Sequence, residues 1–137
     1  MEPPENLMNV ENDRGSMERI LIIDDDVCVL NLLHFVLVNE GYEVLKASSG
    51  KEGMKLYREN PVDLIITDLI MPEKDGIEII RELTTEFANI KIIAISGGGR
   101  IGPTDYLHMA KMLGAKRTLT KPIERNDLVK AVKELLC

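Results

Sequence analysis

The chain has 137 residues, which suits one domain, and its formal net charge of −6 argues against a nucleic-acid-binding role, since such domains carry a basic face. Aromatic residues make up only 4% of the chain, so a core must be built from Ile, Leu, Val, Met and Ala. Cys28 and Cys137 show no metal or redox spacing, and no signal peptide or bilayer-length apolar run is present, so a cytoplasmic protein with no membrane partner is expected.

Residues 1–17 are polar, contain Pro3 and Pro4, and show no periodicity; they are expected to form a disordered or loosely attached arm before a domain over 18–137. From Glu18 onward strand and helix patterns alternate. Strands are predicted at 19–24, 43–47, 62–67, 91–95 and 115–119, and helices at 27–39, 50–59, 75–87, 104–113 and 124–136. Asp26 suits the start of the first helix, where acidic groups are favoured, and Gly41 suits its end. Pro61 precedes the third strand and Gly114 closes the fourth helix. The first helix is apolar nearly all round. Val29, Leu32, Leu33, Val36 and Leu37 are predicted to face the sheet, leaving Leu30, His34 and Val38 on another stripe with Phe35 nearby. Cys28 reads as a small helix residue, not a reactive thiol.

The runs Leu64–Ile66 and Ile92–Ile95 are continuously apolar, which fits strands covered by helices on both faces. Five such strand–helix units predict an α/β fold: a five-stranded parallel, doubly wound sheet in the order 2-1-3-4-5.

Four of the strands end in polar groups. Asp24, Asp25 and Asp26 follow the first, Asp68 the third, Ser96 the fourth and Lys121 the fifth. In an open parallel sheet these ends line one crevice, and ligands bind there. Three carboxylates gathered from Asp24, Asp25 and Asp68 would raise one another's pKa unless a cation neutralised them. Oxygen ligands with room for water suit Mg²⁺. A solvated helix-capping cluster would account for Asp26, but not for Asp68 or Lys121. Asp68 is the candidate nucleophile, because a carboxylate can attack phosphorus and form an acyl phosphate. Mg²⁺ between Asp68 and the incoming group would offset charge, Lys121 would add a point charge opposite it, and Ser96 a hydroxyl donor. Taken alone, Ser96 reads as a strand-end turn. Pro122 restricts the backbone of Lys121, and the sequence leaves the isomer of their peptide bond open.

Four motifs then appear in order: Ile20-Leu-Ile-Ile-Asp-Asp-Asp26, Asp63-Leu-Ile-Ile-Thr-Asp-Leu-Ile-Met-Pro-Glu-Lys-Asp-Gly76, Ile92-Ile-Ala-Ile-Ser-Gly97 and Leu119-Thr-Lys-Pro122. Together they resemble the receiver domain of two-component response regulators, whose fold is flavodoxin-like. The resemblance implies a signalling switch and not an enzyme. It implies that Asp68 accepts a phosphoryl group from a histidine kinase or histidine phosphotransfer protein. It further implies that Asp25 ligates Mg²⁺ directly, that Asp24 acts partly through water, and that the Ile70 carbonyl is another ligand. Ser96 and Lys121 would bind the phosphoryl group, and Met71-Pro72 and Gly76 match the loop after the phosphorylated strand. The first helix would meet the donor, with homodimerisation as the rival use of its apolar stripe. If the chain is full-length, a downstream protein target would read the switch, since no output domain follows Cys137; if it is a piece of a longer protein, the missing domain decides the output.

The chain departs from that pattern at named positions. Thr118 stands three residues before the lysine, where receivers carry Tyr or Phe, so ring rotation is not expected to carry the signal. Ile70 and Gly98, two residues after Asp68 and Ser96, offer no group to orient a hydrolytic water, which predicts slow loss of the phosphoryl group. The segment from Gly97 to Pro103 is glycine-rich and is expected to be a loop that orders on phosphorylation. A haloacid-dehalogenase-type phosphatase is the enzymatic rival, with Asp24 and Asp26 mimicking its Asp-x-Asp pair, but it leaves Asp68 unexplained. A receiver-like interaction domain without phosphorylation is the other rival.

Overall fold

The computed structural model describes residues 17–71, 76–87, 89–97 and 103–136, with the side chains of 103–107 left aside. The readings of the N-terminal arm up to residue 16, of Pro72, of Gly98 and the rest of the glycine-rich segment up to 102, and of Cys137 lie outside the described residues. Five strands and five helices alternate: β1 (Arg19–Ile23), α1 (Val27–Asn39), β2 (Glu43–Ala47), α2 (Gly50–Glu59), β3 (Leu64–Asp68), α3 (Gly76–Glu86), β4 (Ile92–Ser96), α4 (Pro103–Leu113), β5 (Arg117–Thr120) and α5 (Arg125–Leu136). All pairings are parallel, and the sheet order is β2-β1-β3-β4-β5, as the alternating pattern predicts.

Two cores form because successive strand side chains point to opposite faces. Ile20, Ile22, Leu64, Ile66, Ile93 and Ile95 pack with Leu33 and Leu37 of α1 and Leu128 and Val132 of α5. Leu21, Ile23, Ile65, Ile92 and Ala94 pack on the other face with Met54 of α2, Ile79, Ile80 and Leu83 of α3, and Ala110 of α4. Among the described residues no helix is long and apolar enough to cross a membrane.

Local chemistry sets the element boundaries. β1 stops at Ile23, one residue short of the expectation, because Asp24 Oδ1 accepts from Asp26 N at 2.8 Å and turns the chain. Asp26 then caps α1, its Oδ1 accepting from Cys28 N at 2.9 Å. Gly41, at φ 98°, leaves that helix in a conformation open to glycine. Ser49 caps α2 through Glu52 N, and Glu52 Oε1 returns to Ser48 N at 2.8 Å. β5 begins two residues later than predicted, since Ala115 N still bonds Ala110 O at the end of α4, across Gly114 at φ 125°.

The phase of α1 corrects the sequence reading. Leu30 is buried with Leu33, Val36 and Leu37, whereas Leu32 is 52% exposed. The helix has no charged residue to mark its outer face, so its apolar pattern alone did not define its rotation. Val27, Leu32, Phe35 and Val38 form the exposed strip, with Cys28 exposed beside them and His34 half-buried.

Candidate functional site

Every strand end predicted to carry chemistry opens on the same side of the sheet. Asp24 follows β1, and Asp68 closes β3, the central strand, beside it; Ile23 and Thr67 are direct partners across that pair. Asp68 in turn pairs with Ile95, which puts Ser96 one step beyond it on β4. Ser96 pairs with Thr120, which puts Lys121 one step beyond on β5. Parallel register thus converts positions far apart in sequence into one cluster.

Carboxylate oxygens of Asp24, Asp25 and Asp68 all lie within 4.8 Å of one another. Asp24 is 1% exposed and Asp68 4%, while Asp25 faces solvent. The Lys121 ammonium stands between the two buried groups, with Nζ 3.0 Å from Asp24 Oδ2 and 3.1 Å from Asp68 Oδ2. It donates a hydrogen bond to Asp68. Asp24 Oδ2 receives the charge at close range but no directed hydrogen bond, and so is an orphaned buried oxygen. Asp24 Oδ1 is used by Asp26 N, and Asp68 Oδ1 accepts from Ile70 N at 3.3 Å. The peptide bond between Lys121 and Pro122 is cis.

The electrostatics follow from this crowding. Burial, and then the Asp68 charge, push Asp24 above the usual aspartate value, against the Asp26 amide and Lys121, which pull it down. Burial alone would lower the Lys121 pKa, yet its contacts with Asp24 and Asp68 raise it above the ordinary lysine value. Lys121 is therefore a firm cation, and the pocket of negative charge still exceeds what one ammonium neutralises. An orphaned buried carboxylate oxygen and an all-oxygen donor set with one solvent-facing member fit a hard divalent cation such as Mg²⁺.

Two glycines shape the site in ways that the residue pattern did not reveal. A Cβ on Gly76 would lie 2.2 Å from the Asp68 carbonyl oxygen and 2.7 Å from Leu69 Cα, so only glycine lets α3 start against the end of β3. Gly76 N also donates to Leu69 O at 3.1 Å. Gly97 follows Ser96, and a Cβ there would lie 3.0 Å from Lys121 Cδ. Sequence reasoning saw Gly97 as loop freedom; the structure shows a close approach.

The response regulator receiver domain family matches residues 20–133. This chain belongs to that family. It is 32% identical over 119 residues to sporulation initiation phosphotransferase F of Bacillus subtilis, covering 87% of this chain and 94% of that protein. It is 34% identical over 117 residues to the transcriptional regulatory protein GlrR of Escherichia coli, covering 85% of this chain but only 26% of that protein. The chain thus spans about a quarter of GlrR, as it does of the QseF protein of E. coli O157:H7. A response regulator receiver domain protein of Clostridium thermocellum has the same architecture, with a TM-score of 0.81 at 34% identity over 88% of this chain and 94% of that one. The chain is therefore a signalling domain of two-component systems, with the CheY-like fold.

Proposed function

We propose that Asp68 accepts a phosphoryl group from a phosphohistidine of a histidine kinase or histidine phosphotransfer protein, in a Mg²⁺-dependent step, and that the change is passed to a protein target. The observation that carries this reading is the buried Asp68 carboxylate held 3.1 Å from the Lys121 ammonium, inside a three-carboxylate cluster. A carboxylate oxygen of Asp68 attacks phosphorus, the P–N bond to the donor imidazole breaks, and the electron pair leaves with the imidazole. Asp24, Asp25, Asp68 and the backbone carbonyl of Ile70 would hold the metal. When bound, Mg²⁺ supplies charge neutralisation between the aspartate and the entering phosphoryl oxygens. Ser96 donates its hydroxyl to one phosphoryl oxygen, and Lys121 turns its ammonium to another.

The donor surface in this reading is α1. Its exposed strip of Val27, Leu32, Phe35 and Val38 carries no charge. A groove of about 160 Å³ lined by Val29, Leu32, Leu33, Lys121, Pro122 and Ile123 joins that strip to the site, since Lys121 belongs to both. An apolar face of this kind suits the helices of a donor protein.

The test is intact mass after incubation with acetyl phosphate and Mg²⁺, for wild type and Asp68→Ala. The expected result is a gain of about 80 Da in wild type only, lost with EDTA, as an acyl phosphate requires. A phosphorylated histidine donor is then tried in place of acetyl phosphate. No adduct with either donor overturns the reading and leaves a receiver-like interaction domain.

A further inference from the structure

The valley between α2 and α3 carries charges that the carboxylate site does not use. Both helices return between parallel strands, so they run the same way along one face of the sheet. On α2 a groove of about 510 Å³ is lined by Lys51, Met54, Lys55, Arg58 and Glu59. On α3 another of about 340 Å³ is lined by Glu78, Arg81, Glu82, Thr85 and Glu86. In charge, one strip is the other with its signs exchanged: Lys51, Lys55 and Arg58 with Glu59 on α2, and Glu78, Glu82 and Glu86 with Arg81 on α3. Arg58 bridges the strips, 2.9 Å from Glu82 and 2.8 Å from Glu86, and so fixes the relative height of the helices. It stands level with the turn between those glutamates. Equal steps back along both helices then put Lys55 level with Arg81 and Glu82, and Lys51 level with Ile77 and Glu78. Lys51 and Lys55 are exposed and make no hydrogen bond or ion pair among the described residues. At the foot of the valley Tyr57, Arg58, Pro61 and Phe87 line a third groove, with the two rings 4.9 Å apart.

We propose that this valley is the interface of a weak two-fold dimer of the chain, with α2 of each copy lying on α3 of the other. A two-fold axis parallel to the helices and above the valley exchanges the strips without changing height. Lys51 of one copy then faces Glu78 of the second, and Lys55 faces Glu82. Each contact occurs twice, as an isologous interface requires. The aromatic grooves at the foot of the valley meet across the same axis. A partner of uniform charge would be drawn to one strip and repelled by the other, whereas a second copy satisfies both. The helices are only about 15 Å long, which puts the face at the low end of specific interfaces and makes the dimer weak. The α1 helix packs on the opposite face of the sheet, so dimerisation leaves it open and the inference stands apart from the phosphoryl reading.

The experiment is analytical ultracentrifugation of the full chain from about 10 to about 500 µM, the range in which a face of this size associates. Wild type is expected to form a reversible dimer. Raising NaCl from about 0.1 M to about 1 M should weaken it by about tenfold, as the screening length falls from about 10 Å to about 3 Å. Lys51→Glu and Glu78→Lys should each weaken it by about tenfold, because either change turns two attractive contacts into two repulsive ones. An equal mixture of the two variants should recover the dimer, since the reversed glutamate then meets the reversed lysine while the native pair meets at the other end of the axis. Thermal melts check folding. If Glu78→Lys fails to fold, Lys55→Glu mixed with Glu82→Lys repeats the exchange one turn along and decides. Monomers throughout the range at low salt overturn the proposal. So does a dimer that ignores both reversals, which would lie on another surface, and so does a mixture that fails to recover the dimer.

Discussion

If the carboxylate cluster takes Mg²⁺ as proposed, the Lys121 ammonium, which already contacts Asp24 and Asp68, competes with the metal for them as well as meeting the phosphoryl group. Its contacts with Asp24 and Asp68 are 3.0 and 3.1 Å long, and its side chain is 22% exposed. Even with the dielectric of bulk water, a unit charge pair at that distance is worth about 1.4 kcal/mol. In the proposed reading Mg²⁺ would displace at least one of these contacts, so Lys121→Met is expected to tighten Mg²⁺ binding by about tenfold. Methionine keeps the length and removes the charge. The same change strips Asp24 and Asp68 of their counter-ion in the metal-free protein, and metal-free stability should fall by about 1.5–3 kcal/mol, the range for hydrogen bonds to charged groups. Saturating Mg²⁺ should restore much of that loss through linkage. Calorimetry measures the affinity, and urea unfolding with and without Mg²⁺ measures the stability. Labelling by acetyl phosphate should nonetheless fall, because no ammonium meets the phosphoryl group. Unchanged or weakened Mg²⁺ affinity in Lys121→Met would refute the competition.

Gly76→Ala should destabilise the protein by about 1–3 kcal/mol, since its Cβ would meet backbone atoms of Asp68 and Leu69 that cannot swing aside; the urea midpoint checks it. Glu40 accepts from Lys133 and Arg125 of α5, and these contacts, the lysine's first, hold its pKa below the usual glutamate value against the opposing effect of burial. A depressed carboxylate contributes stability that is present above its ordinary value of 4.5 and lost as pH falls through the lowered folded-state value. Glu40→Gln should therefore lower stability at neutral pH, and the gap to wild type should close in acid; a gap that persists there argues against the pairing. Ile70 lies at the lip of the site, 39% exposed, with an apolar side chain that orients no water. The acyl phosphate of the purified protein should be long-lived and Ile70→Asn should shorten its lifetime; rapid loss that this substitution does not accelerate would count against that role.

The sheet order was legible because the apolar runs and their polar ends are local signals of strand position. Five runs with helical spacers allow few arrangements. The polar ends then named the cluster before any contact was known: Asp24, Asp25, Asp68 and Lys121 do meet, and Ser96 is buried beside them in register. Less legible was the rotation of α1, where Leu30 and Leu32 exchange their expected places. A helix without charged residues has no polar face for the pattern to find, and its phase is set by the Asp26 cap and by packing on β1. The roles of Gly76 and Gly97 were also hidden. A glycine in sequence announces conformational freedom, yet at these positions it matters for what lies next to it, which is a tertiary fact. Nor could the chain order show that Lys121 bridges Asp24 and Asp68.

Thr118 bears on how a change at the site could leave it. It sits half-buried in β5 opposite Ala94 and has no ring to turn. Among the described residues, one connection runs through Lys121. Its amide is bonded to Ser96, its stem rests on Gly97, and its ammonium joins Asp24 to Asp68. The same residue forms part of the groove wall that faces Val29, Leu32 and Leu33 of α1. A rearrangement of Lys121 toward a phosphoryl group would thus alter both the end of β4 and the floor beside α1 in one movement. In a receiver without the aromatic residue, that shared side chain is a direct physical link between the carboxylate cluster and an apolar groove beside α1.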